Sequence, residues 1–369
     1  MFSILRPYIF SLDPEVAHDL AIKSLKANFL PESFFKVENE ELLETTIFNK
    51  KIPNPIGLAA GFDKSAEVYN SLFKFGFGLI EVGTITPKIQ LGNPKPRIFR
   101  LEKDKALINR LGFNNQGSDI VYKRIINDNP NGLLGINVGP NKDTKNKEED
   151  YYLCLSKLPG NAGYITINIS SPNTEGLRNF HDYNEMKKLL TGINKIKNEK
   201  KISLPIALKI SPDINSDEIS NIVELVKSQN IKGLIISNTT DGNRENLSDI
   251  KKHEAGGLSG KPLESISTNL IRKFYKETKG DIEIIGVGGV DSGKSAYDKI
   301  TAGANVVQLY TGMVYKGPGI VKEIKKELIS ILKNNRIKNI NEAVGINSWP
   351  VIIQDLYNLW KIICQKDVN

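Results

Sequence analysis

The feature that most constrains the fold of this chain is a unit that repeats from about residue 54 onward. Each unit consists of a short apolar run, a stop rich in glycine or asparagine, and a polar stretch with helical periodicity. Eight strands that alternate with helices are typical of a closed (β/α)₈ TIM barrel. An open doubly wound sheet is the alternative, because periodicity alone does not show that a sheet closes. The apolar runs are residues 55–60, 78–82, 133–138, 164–169, 205–210, 233–237, 282–287 and 305–309.

The composition argues against several other classes of protein. With 369 residues, of which 40% are hydrophobic and 25% charged, the chain can form one barrel of about 250 residues with extensions. The net charge is +8, but basic and acidic residues are interspersed, so we expect no nucleic-acid partner. Two distant cysteines and three scattered histidines give no metal-ligand spacing, so we expect no metal and a reducing compartment.

The two ends of the chain differ from the predicted barrel, which spans residues 41–345. Residues 1–40 predict an N-terminal helical extension, because residues 13–15 combine a helix cap, a first-turn proline and an acid, with apolar residues following at helical spacing. Such a helix either packs on the barrel or touches a membrane surface. Residues 346–369 carry an apolar stripe that predicts an amphipathic tail helix. This tail either packs on the barrel or makes a second membrane or partner contact.

Candidate functional side chains follow the predicted strand ends. In a barrel of parallel strands these ends meet at one face, where chemistry is normally located. A lysine buried there needs an anion or a developing negative charge, so Lys64 and Lys209 predict a bound anion and a reduced cofactor. The alternative for Lys64 is a side chain that reaches solvent. Several asparagines could hold a planar heterocycle that bears a carboxylate. These are Asn109, Asn114, Asn115, Asn168, Asn173 and Asn238.

Residues 288–295 match the P-loop pattern GxxxxGK[ST], with Gly288, Gly293, Lys294 and Ser295 in place. A P-loop normally opens a sheet with several strands downstream, whereas one strand-like run remains here. We therefore favour a glycine turn that presents backbone N–H groups to a phosphate after the seventh strand of the barrel. A nucleotide-binding P-loop protein remains the alternative function.

Eight blocks of this chain match one protein family in the same order, namely residues 60–64, 81–87, 95–101, 109–115, 168–174, 237–240, 256–263 and 285–290. Together they resemble the dihydroorotate dehydrogenase family. Two features resemble its class 2 form, which is membrane-associated and reduces quinones. One is Ser171 in the place of the cysteine of class 1 enzymes, although the residues alone suggest only a turn serine without a histidine partner. The other is the extension with Leu12-Asp13-Pro14-Glu15. A soluble class 1-type enzyme and a catalytically silent membrane-associated barrel are the alternatives.

The resemblance implies a set of ligand-binding residues. FMN would be held by Ala60, Gly61, Thr84, Asn137, Asn168, Lys209, Ser237, Gly260, Gly289, Tyr310 and Thr311. Dihydroorotate would contact Lys64, Asn109, Arg110, Leu111, Gly112, Phe113, Asn168, Asn173, Asn238 and Thr239.

The resemblance also implies a mechanism. Ser171 would remove a proton from C5 of (S)-dihydroorotate while C6 delivers hydride to flavin N5, which yields orotate for de novo pyrimidine (UMP) biosynthesis. Electrons would then pass to ubiquinone or another membrane quinone between the N-terminal helices, with His18 and Arg100 lining the entrance. Lys209 would stabilise negative charge on the reduced flavin, and Lys64 would face the substrate. The protein would be peripheral on the cytoplasmic face of the inner (plasma) membrane of a bacterium.

Overall fold

The computed structural model describes residues 2–27, 36–38, 40–242 and 244–348. Its strands are β1 (Thr45–Ile47), β2 (Lys50–Ile52), β3 (Ile56–Leu58), β4 (Leu79–Ile85), β5 (Ile98–Leu101), β6 (Ala106–Asn109), β7 (Leu133–Val138), β8 (Tyr164–Asn168), β9 (Ile206–Ile210), β10 (Gly233–Ile236), β11 (Gly257–Gly260), β12 (Glu283–Val287) and β13 (Val306–Leu309). Its helices are α1 (Phe2–Ser11), α2 (Pro14–Lys26), α3 (Tyr69–Phe73), α4 (Ser118–Asn127), α5 (Lys147–Ser156), α6 (Tyr183–Glu199), α7 (Ser216–Ser228), α8 (Glu264–Thr278), α9 (Gly293–Thr301), α10 (Thr311–Lys316) and α11 (Ile320–Asn334).

Eight parallel strands close into a barrel in the order β3, β4, β7, β8, β9, β10, β12, β13. The last strand pairs with the first, with Val307 beside Ile56 in the register. Each predicted apolar run overlaps one of these strands, and only β4 extends beyond its run, to Ile85. The barrel prediction is therefore confirmed and the open doubly wound alternative is wrong. Parallel strands that are covered on both faces consist of nearly continuous apolar residues. The apolar runs in the sequence therefore predict all eight barrel strands.

The helices form the outer layer and bury one face each against the strands. In α11 the buried side chains include Ile324, Leu328 and Leu332, which recur at four-residue spacing. The start of α7 is fixed by a capping box in which the Asn215 side chain accepts from the Glu218 backbone, and the Glu218 side chain accepts from the Asn215 backbone. The order of strand and helix along the chain places the loops that follow the strands on one end of the barrel.

The opposite end of the barrel is sealed by the hairpin of β1 and β2. Phe48 and Asn49 form its turn with φ angles of 53° and 59°, the left-handed conformation that tight hairpins require. The Phe48 ring packs on Tyr164 inside the barrel, with 5.3 Å between ring centroids. A separate buried apolar cluster results, which we call the floor. It consists of Ile47, Phe48, Ile52, Leu79, Leu133, Tyr164, Ala207, Ile235, Ile285 and Val306.

A second sheet, of antiparallel strands β5, β6 and β11, lies at the carboxyl end of the barrel. None of the predicted apolar runs lies in these three strands. Each of these strands has four residues, and β6 pairs with a strand far away in sequence, with Asn109 beside Gly257. Strands this short show little periodicity in the sequence. In addition, β6 and β11 pair only because the folded barrel brings their two loops together.

Helices α1 and α2 confirm the predicted helical extension. Neither helix has a fully buried residue, although Ala21, Ile22 and Leu25 pack partly against the core. Within the described ranges, the structure has no helix with the length and apolar character needed to span a bilayer. Of the predicted tail helix, residues 346–348 form a short 3₁₀ turn and the remainder lies outside the described residues.

Candidate active site at the carboxyl ends of the barrel strands

A cavity of about 410 Å³ opens at the carboxyl end of the barrel. The loops that follow the barrel strands line it, together with the second sheet and one side chain of α1. Most of the residues predicted to bind a flavin or a substrate line this one cavity. They are Ala60, Gly61, Lys64, Thr84, Asn109, Leu111, Gly112, Phe113, Asn168, Ser171, Asn173, Lys209, Ser237, Asn238, Thr239, Gly260, Gly289, Tyr310 and Thr311.

Asparagine side chains join neighbouring strand ends into one hydrogen-bonded network. The Asn168 amide donates to Oγ1 of Thr84 at 3.0 Å and to Oδ1 of Asn137 at 3.2 Å. The Asn238 amide donates to Oδ1 of Asn168 at 3.3 Å and to Oγ of Ser170 at 2.9 Å. These bonds fix the orientation of each amide, so the network presents a defined set of donors and acceptors to a ligand.

Ser171 lies in the loop after β8 and is 5% exposed. Its Oγ accepts a hydrogen bond from the backbone N–H of Asn173 at 3.2 Å. No histidine of the described chain is hydrogen-bonded to it. His181 instead uses its ring nitrogens on the Arg178 carbonyl at 3.0 Å and the Ser211 N–H at 3.2 Å. A Ser/His arrangement for acyl transfer is therefore absent from the described residues, and a backbone donor faces the serine oxygen.

Two lysines bring positive charge into the cavity. Burial lowers the pKa of Lys64 to about 8, while the carboxylates of Glu15 and Asp63 oppose the shift. Burial also lowers the pKa of Lys209, and the charge of Glu81 opposes that shift. The positive charge of each lysine is thus partly balanced by carboxylates of the protein, and an anionic ligand would balance the remainder.

The loop after β12 has the backbone shape predicted for a phosphate turn. Gly288 and Gly289 have φ angles of +118° and +77°, which side chains other than glycine rarely adopt. A Cβ on Gly289 would lie 2.6 Å from Cα of Glu264, so the loop packs closely on the start of α8. The hydroxyls of Ser259 and Thr311, which also line the cavity, are 2.8 Å apart. The glycines leave backbone N–H groups accessible to an anion.

The P-loop alternative for residues 288–295 is wrong. The Gly293 N–H donates to the carboxylate of Glu327 at 2.5 Å, so a protein side chain occupies the position of a phosphate. Lys294 pairs with Asp298 at 2.5 Å on the exposed side of α9 and does not line the cavity. Ser295 is part of a capping box with Ser292. The match to the pattern is therefore explained by a helix start.

Two predicted ligand-binding residues lie just behind the cavity wall. Asn137 is fully buried, and its Oδ1 accepts from the Thr84 hydroxyl at 2.7 Å. Arg110 pairs with Glu254 at 2.8 Å, and its guanidinium lies 4.5 Å from the centroid of the Phe99 ring. Asn137 thus supports a lining residue from outside, whereas the Arg110 side chain contacts residues that do not line the cavity.

The two residues predicted to line a quinone entrance lie where α1 and α2 meet the barrel. Nε2 of His18 is 2.8 Å from the Phe62 carbonyl oxygen, and burial together with the charge of Lys64 lowers the His18 pKa to about 4. Arg100 donates to the carbonyls of Phe10 and Leu12 at 3.1 and 2.9 Å. Neither side chain lines the cavity, and Arg6 is the α1 residue that does.

Several lining residues were missed by sequence reasoning. Leu107 and Ser259 come from the second sheet, which was not predicted. Gln308 is fully buried in β13, and its Oε1 has no hydrogen-bond partner in the described structure. An amide in an otherwise apolar strand was the available signal for Gln308. No such signal marks Arg6, because the pattern of α1 does not show which side faces the cavity. Among the described residues, no cluster of three or more His, Cys, Asp or Glu side chains could hold a metal.

A closed barrel with a polar cavity at its strand ends places the chain among the α/β-barrel enzymes. A family model described as dihydroorotate dehydrogenase matches residues 42–332, and the chain belongs to this family. It is 42% identical over 354 residues to a protein of Bradyrhizobium diazoefficiens named dihydroorotate dehydrogenase (quinone), which covers 95% of this chain and 96% of the relative.

Two further proteins with similar names are also similar to this chain. A protein of the same name from Bartonella henselae is 45% identical over 339 residues, which are 91% of this chain and 93% of the relative. A crystal structure of DHODH from Eimeria tenella, in complex with ferulenol, is 39% identical with a TM-score of 0.86. That comparison covers 92% of this chain and 96% of the other chain.

Proposed function

We propose that the protein oxidises (S)-dihydroorotate to orotate with FMN as its cofactor and a membrane quinone as the final electron acceptor. This reaction belongs to pyrimidine biosynthesis. Bound FMN would supply the hydride acceptor and relay the electrons to the quinone. The single observation that supports the proposal most strongly is the convergence of Ser171, the asparagine network and Lys64 on one cavity of about 410 Å³.

The cavity fits a flavin mononucleotide in three respects. The glycine loop after β12 offers backbone N–H groups to a phosphate, and Gly260 and Thr311 line the same cavity. Lys209 places a buried cation where the reduced ring would carry negative charge. The unpaired acceptor of Gln308 lies at the cavity wall and leaves a polar position for a bound donor or water.

The substrate side of the cavity fits a small acid with amide groups. The Lys64 ammonium would pair with the carboxylate of dihydroorotate, because each would otherwise be buried without a counter-charge. The amides of Asn109, Asn173 and Asn238 would bind the ring amides, since an asparagine provides both a donor and an acceptor. The Asn173 amide already lies 3.5 Å from the Asn109 side-chain oxygen, so the two converge on one ring edge.

Ser171 would take the proton from C5 onto its Oγ while its own hydroxyl proton leaves along a proton path to solvent. A serine hydroxyl is a weak base, so it needs a site that stabilises the negative charge on the oxygen and excludes water. The backbone N–H of Asn173 points at this oxygen, and the side chain is almost fully buried. The hydrogen bond lowers the cost of negative charge on Oγ, and the burial keeps bulk water away from the reacting atoms.

Helices α1 and α2 would carry the quinone and membrane function. Ile4, Leu5, Tyr8, Val16 and Leu20 are 71%, 50%, 74%, 47% and 47% exposed, so these helices present an apolar surface beside the cavity mouth. Contact with a bilayer would cover this surface and bring a hydrophobic quinone to the cavity. The proposal places the protein peripherally at the cytoplasmic face of the inner membrane of a bacterium.

The test is a sequence of three measurements on the purified full-length protein. We expect a flavin absorbance spectrum, and chromatography of the released cofactor should identify FMN. Anaerobic dihydroorotate should bleach the flavin, and a quinone should restore the colour faster than fumarate or NAD. Absence of bleaching would support the catalytically silent barrel instead. Faster reoxidation by fumarate or NAD would favour a class 1-type enzyme, which the names of the relatives do not favour.

A further inference from the structure

Glu81 is a carboxylate in the middle of β4, between Ile80 and Val82, with no exposed surface. The side chains on either side of it are apolar core residues. Transfer of a charged carboxylate into such a position is very unfavourable unless several donors and a counter-charge surround it. The carboxylate of Glu81 therefore needs an explanation that packing alone does not give.

Four side chains donate hydrogen bonds to this carboxylate from three other barrel strands. The Asn137 amide donates to Oε1 at 2.7 Å. The Tyr164 hydroxyl, the Thr166 hydroxyl and the Gln308 amide donate to Oε2 at 3.0, 3.1 and 3.2 Å. All four donors are themselves fully buried. The carboxylate is thus held in one orientation between the apolar floor and the cavity.

Lys209 reaches the cavity from β9, is 5% exposed and lies beside Asn168 in the strand register. Asn168 donates to the Asn137 side chain, which in turn donates to Glu81. Burial favours the neutral amine, and among the described residues the charge of Glu81 is the electrostatic contribution that opposes this. The Asn137 side chain connects Glu81 to the cavity, because it donates to Glu81 and accepts from Thr84 and Asn168, which line the cavity. The carboxylate is therefore coupled to the cavity through charge and through hydrogen bonds.

We propose that Glu81 is a positioning residue that holds Lys209 as an ammonium ion at the flavin site and thereby sets how readily the bound flavin accepts electrons. This inference depends on the proposed FMN function. Glu81 does not touch the reacting atoms in this scheme. It acts through Lys209, whose positive charge is nearer to the cavity and therefore has the larger effect on a bound ring.

Sulfite is a suitable probe, because it measures the flavin environment without dihydroorotate turnover. Its sulfur lone pair forms a bond to N5 of the oxidised flavin, and the ring system takes up the electron pair as negative charge. A nearby cation stabilises this charge, so the sulfite dissociation constant reports the charge of Lys209. The variants are Glu81→Gln, Lys209→Met and the double substitution, with Asp150→Asn as a control that removes another buried carboxylate outside the barrel.

We expect Glu81→Gln to raise the sulfite dissociation constant by up to about tenfold at pH 8, toward the value of Lys209→Met, because a smaller fraction of Lys209 is protonated without the carboxylate. The flavin midpoint potential should fall by about 30 mV, which is a tenfold change for a two-electron couple. Glu81→Asp should recover part of the loss, and Asp150→Asn should bind sulfite like the wild type. In the Lys209→Met background, Glu81→Gln should cause no further weakening. Unchanged or tighter sulfite binding in Glu81→Gln would overturn the inference.

Flavin content separates this inference from the proposed function. Absence of flavin in the wild-type protein contradicts the proposed function. If the wild type and Glu81→Gln both contain flavin and bind sulfite with equal affinity, only the role of Glu81 is contradicted. If Glu81→Gln does not fold, the double variant Glu81→Gln with Lys209→Met tests whether the two charges form a pair. Folding of the double variant alone supports the pairing, because removal of both charges leaves no unpaired buried cation. Failure of both variants to fold would show that Glu81 has a structural role instead.

Discussion

The barrel interior and the helix pair α1–α2 are built in opposite ways. Inside the barrel, Glu81, Asn137 and Thr166 have no exposed surface, and each is hydrogen-bonded. Helices α1 and α2 have no fully buried residue and expose large apolar side chains. Their attachment to the barrel includes a few polar contacts, such as the pair of Glu15 with Arg97 at 2.5 Å.

This difference follows from what each region would do. A proton and a hydride must leave one small substrate in a fixed geometry, so the groups around it need rigid support. A quinone dissolved in a bilayer must reach the same cavity from outside, so the second region needs an adaptable apolar surface. We expect substitutions in the barrel to affect the dihydroorotate half of the reaction, and substitutions in α1–α2 to affect the quinone half.

Ser171→Ala should give the largest effect. Loss of the base should slow flavin reduction by dihydroorotate about 10²- to 10⁴-fold, the usual contribution of a positioned proton acceptor. Stopped-flow bleaching under anaerobic conditions measures this rate. Flavin content should stay at the wild-type level, and Ser156→Ala on the exposed side of α5 is the matched control. Near-normal bleaching in Ser171→Ala would show that another group takes the proton.

The apolar surface of α1 should give the next effect. Ile4→Ser with Tyr8→Ser removes two exposed side chains, each of which stabilises membrane binding by about 1.5 to 3 kcal/mol if it is fully buried in the bilayer. We expect liposome binding to weaken by about tenfold or more in a sedimentation assay. Leu153→Ser, at an exposed apolar position on α5, should bind like the wild type. If the α1 double variant and Leu153→Ser lose liposome binding to the same extent, a membrane role specific to α1 is contradicted.

The pH profile tests Lys64 within the barrel cavity. Its lowered pKa of about 8 means that the ammonium is present below pH 8 and is lost as the pH rises through this value. The kcat/KM for dihydroorotate should therefore fall above pH 8, by up to about tenfold per pH unit, because the substrate carboxylate loses its cation. Lys64→Arg keeps its charge at high pH and should remove this decline. A flat wild-type profile up to pH 10 would exclude Lys64 as the carboxylate partner.

Glu15→Gln should give the smallest effect and affect mainly the quinone half. Weaker attachment of α2 to Arg97 and Lys95 should raise the KM for a quinone about threefold to tenfold, as expected for the loss of these two ion pairs of Glu15. At pH 6.5, where Lys64 is protonated, flavin reduction by dihydroorotate should be unchanged. Lys26→Met removes a more exposed contact of the same helix with Glu67 and serves as the control. Slower flavin reduction at pH 6.5 would show that α2 also shapes the substrate site.

The barrel was predictable from sequence because its signal is local. Every strand is buried on both faces and is followed by a stop and a helix, so a window of a few residues contains the information. The second sheet was not predictable in this way. Its strands have four residues each, and the pairing of Asn109 with Gly257 depends on chain segments that only the folded barrel brings together.

The candidate site was predictable to the extent that it follows strand ends. Position after a strand places Asn168, Lys209 and Asn238 at one face, and the structure brings them together in one cavity. The partners of buried charges were not predictable. Glu81 interrupts an apolar strand, which marks it as unusual, but its four donors come from strands that are 50 or more residues away. The role of Ser171 as a base remains a prediction from family resemblance.

The sealed floor has a practical consequence for attaching this protein to a surface. The hairpin of β1 and β2 exposes Asn49, Lys50 and Lys51 at the end of the barrel opposite the cavity. A cysteine introduced at Asn49 and coupled to an electrode or a bead would direct the cavity and the apolar helices away from the support. Oriented immobilisation at this turn would leave the mouth free to accept substrate and lipid at the same time.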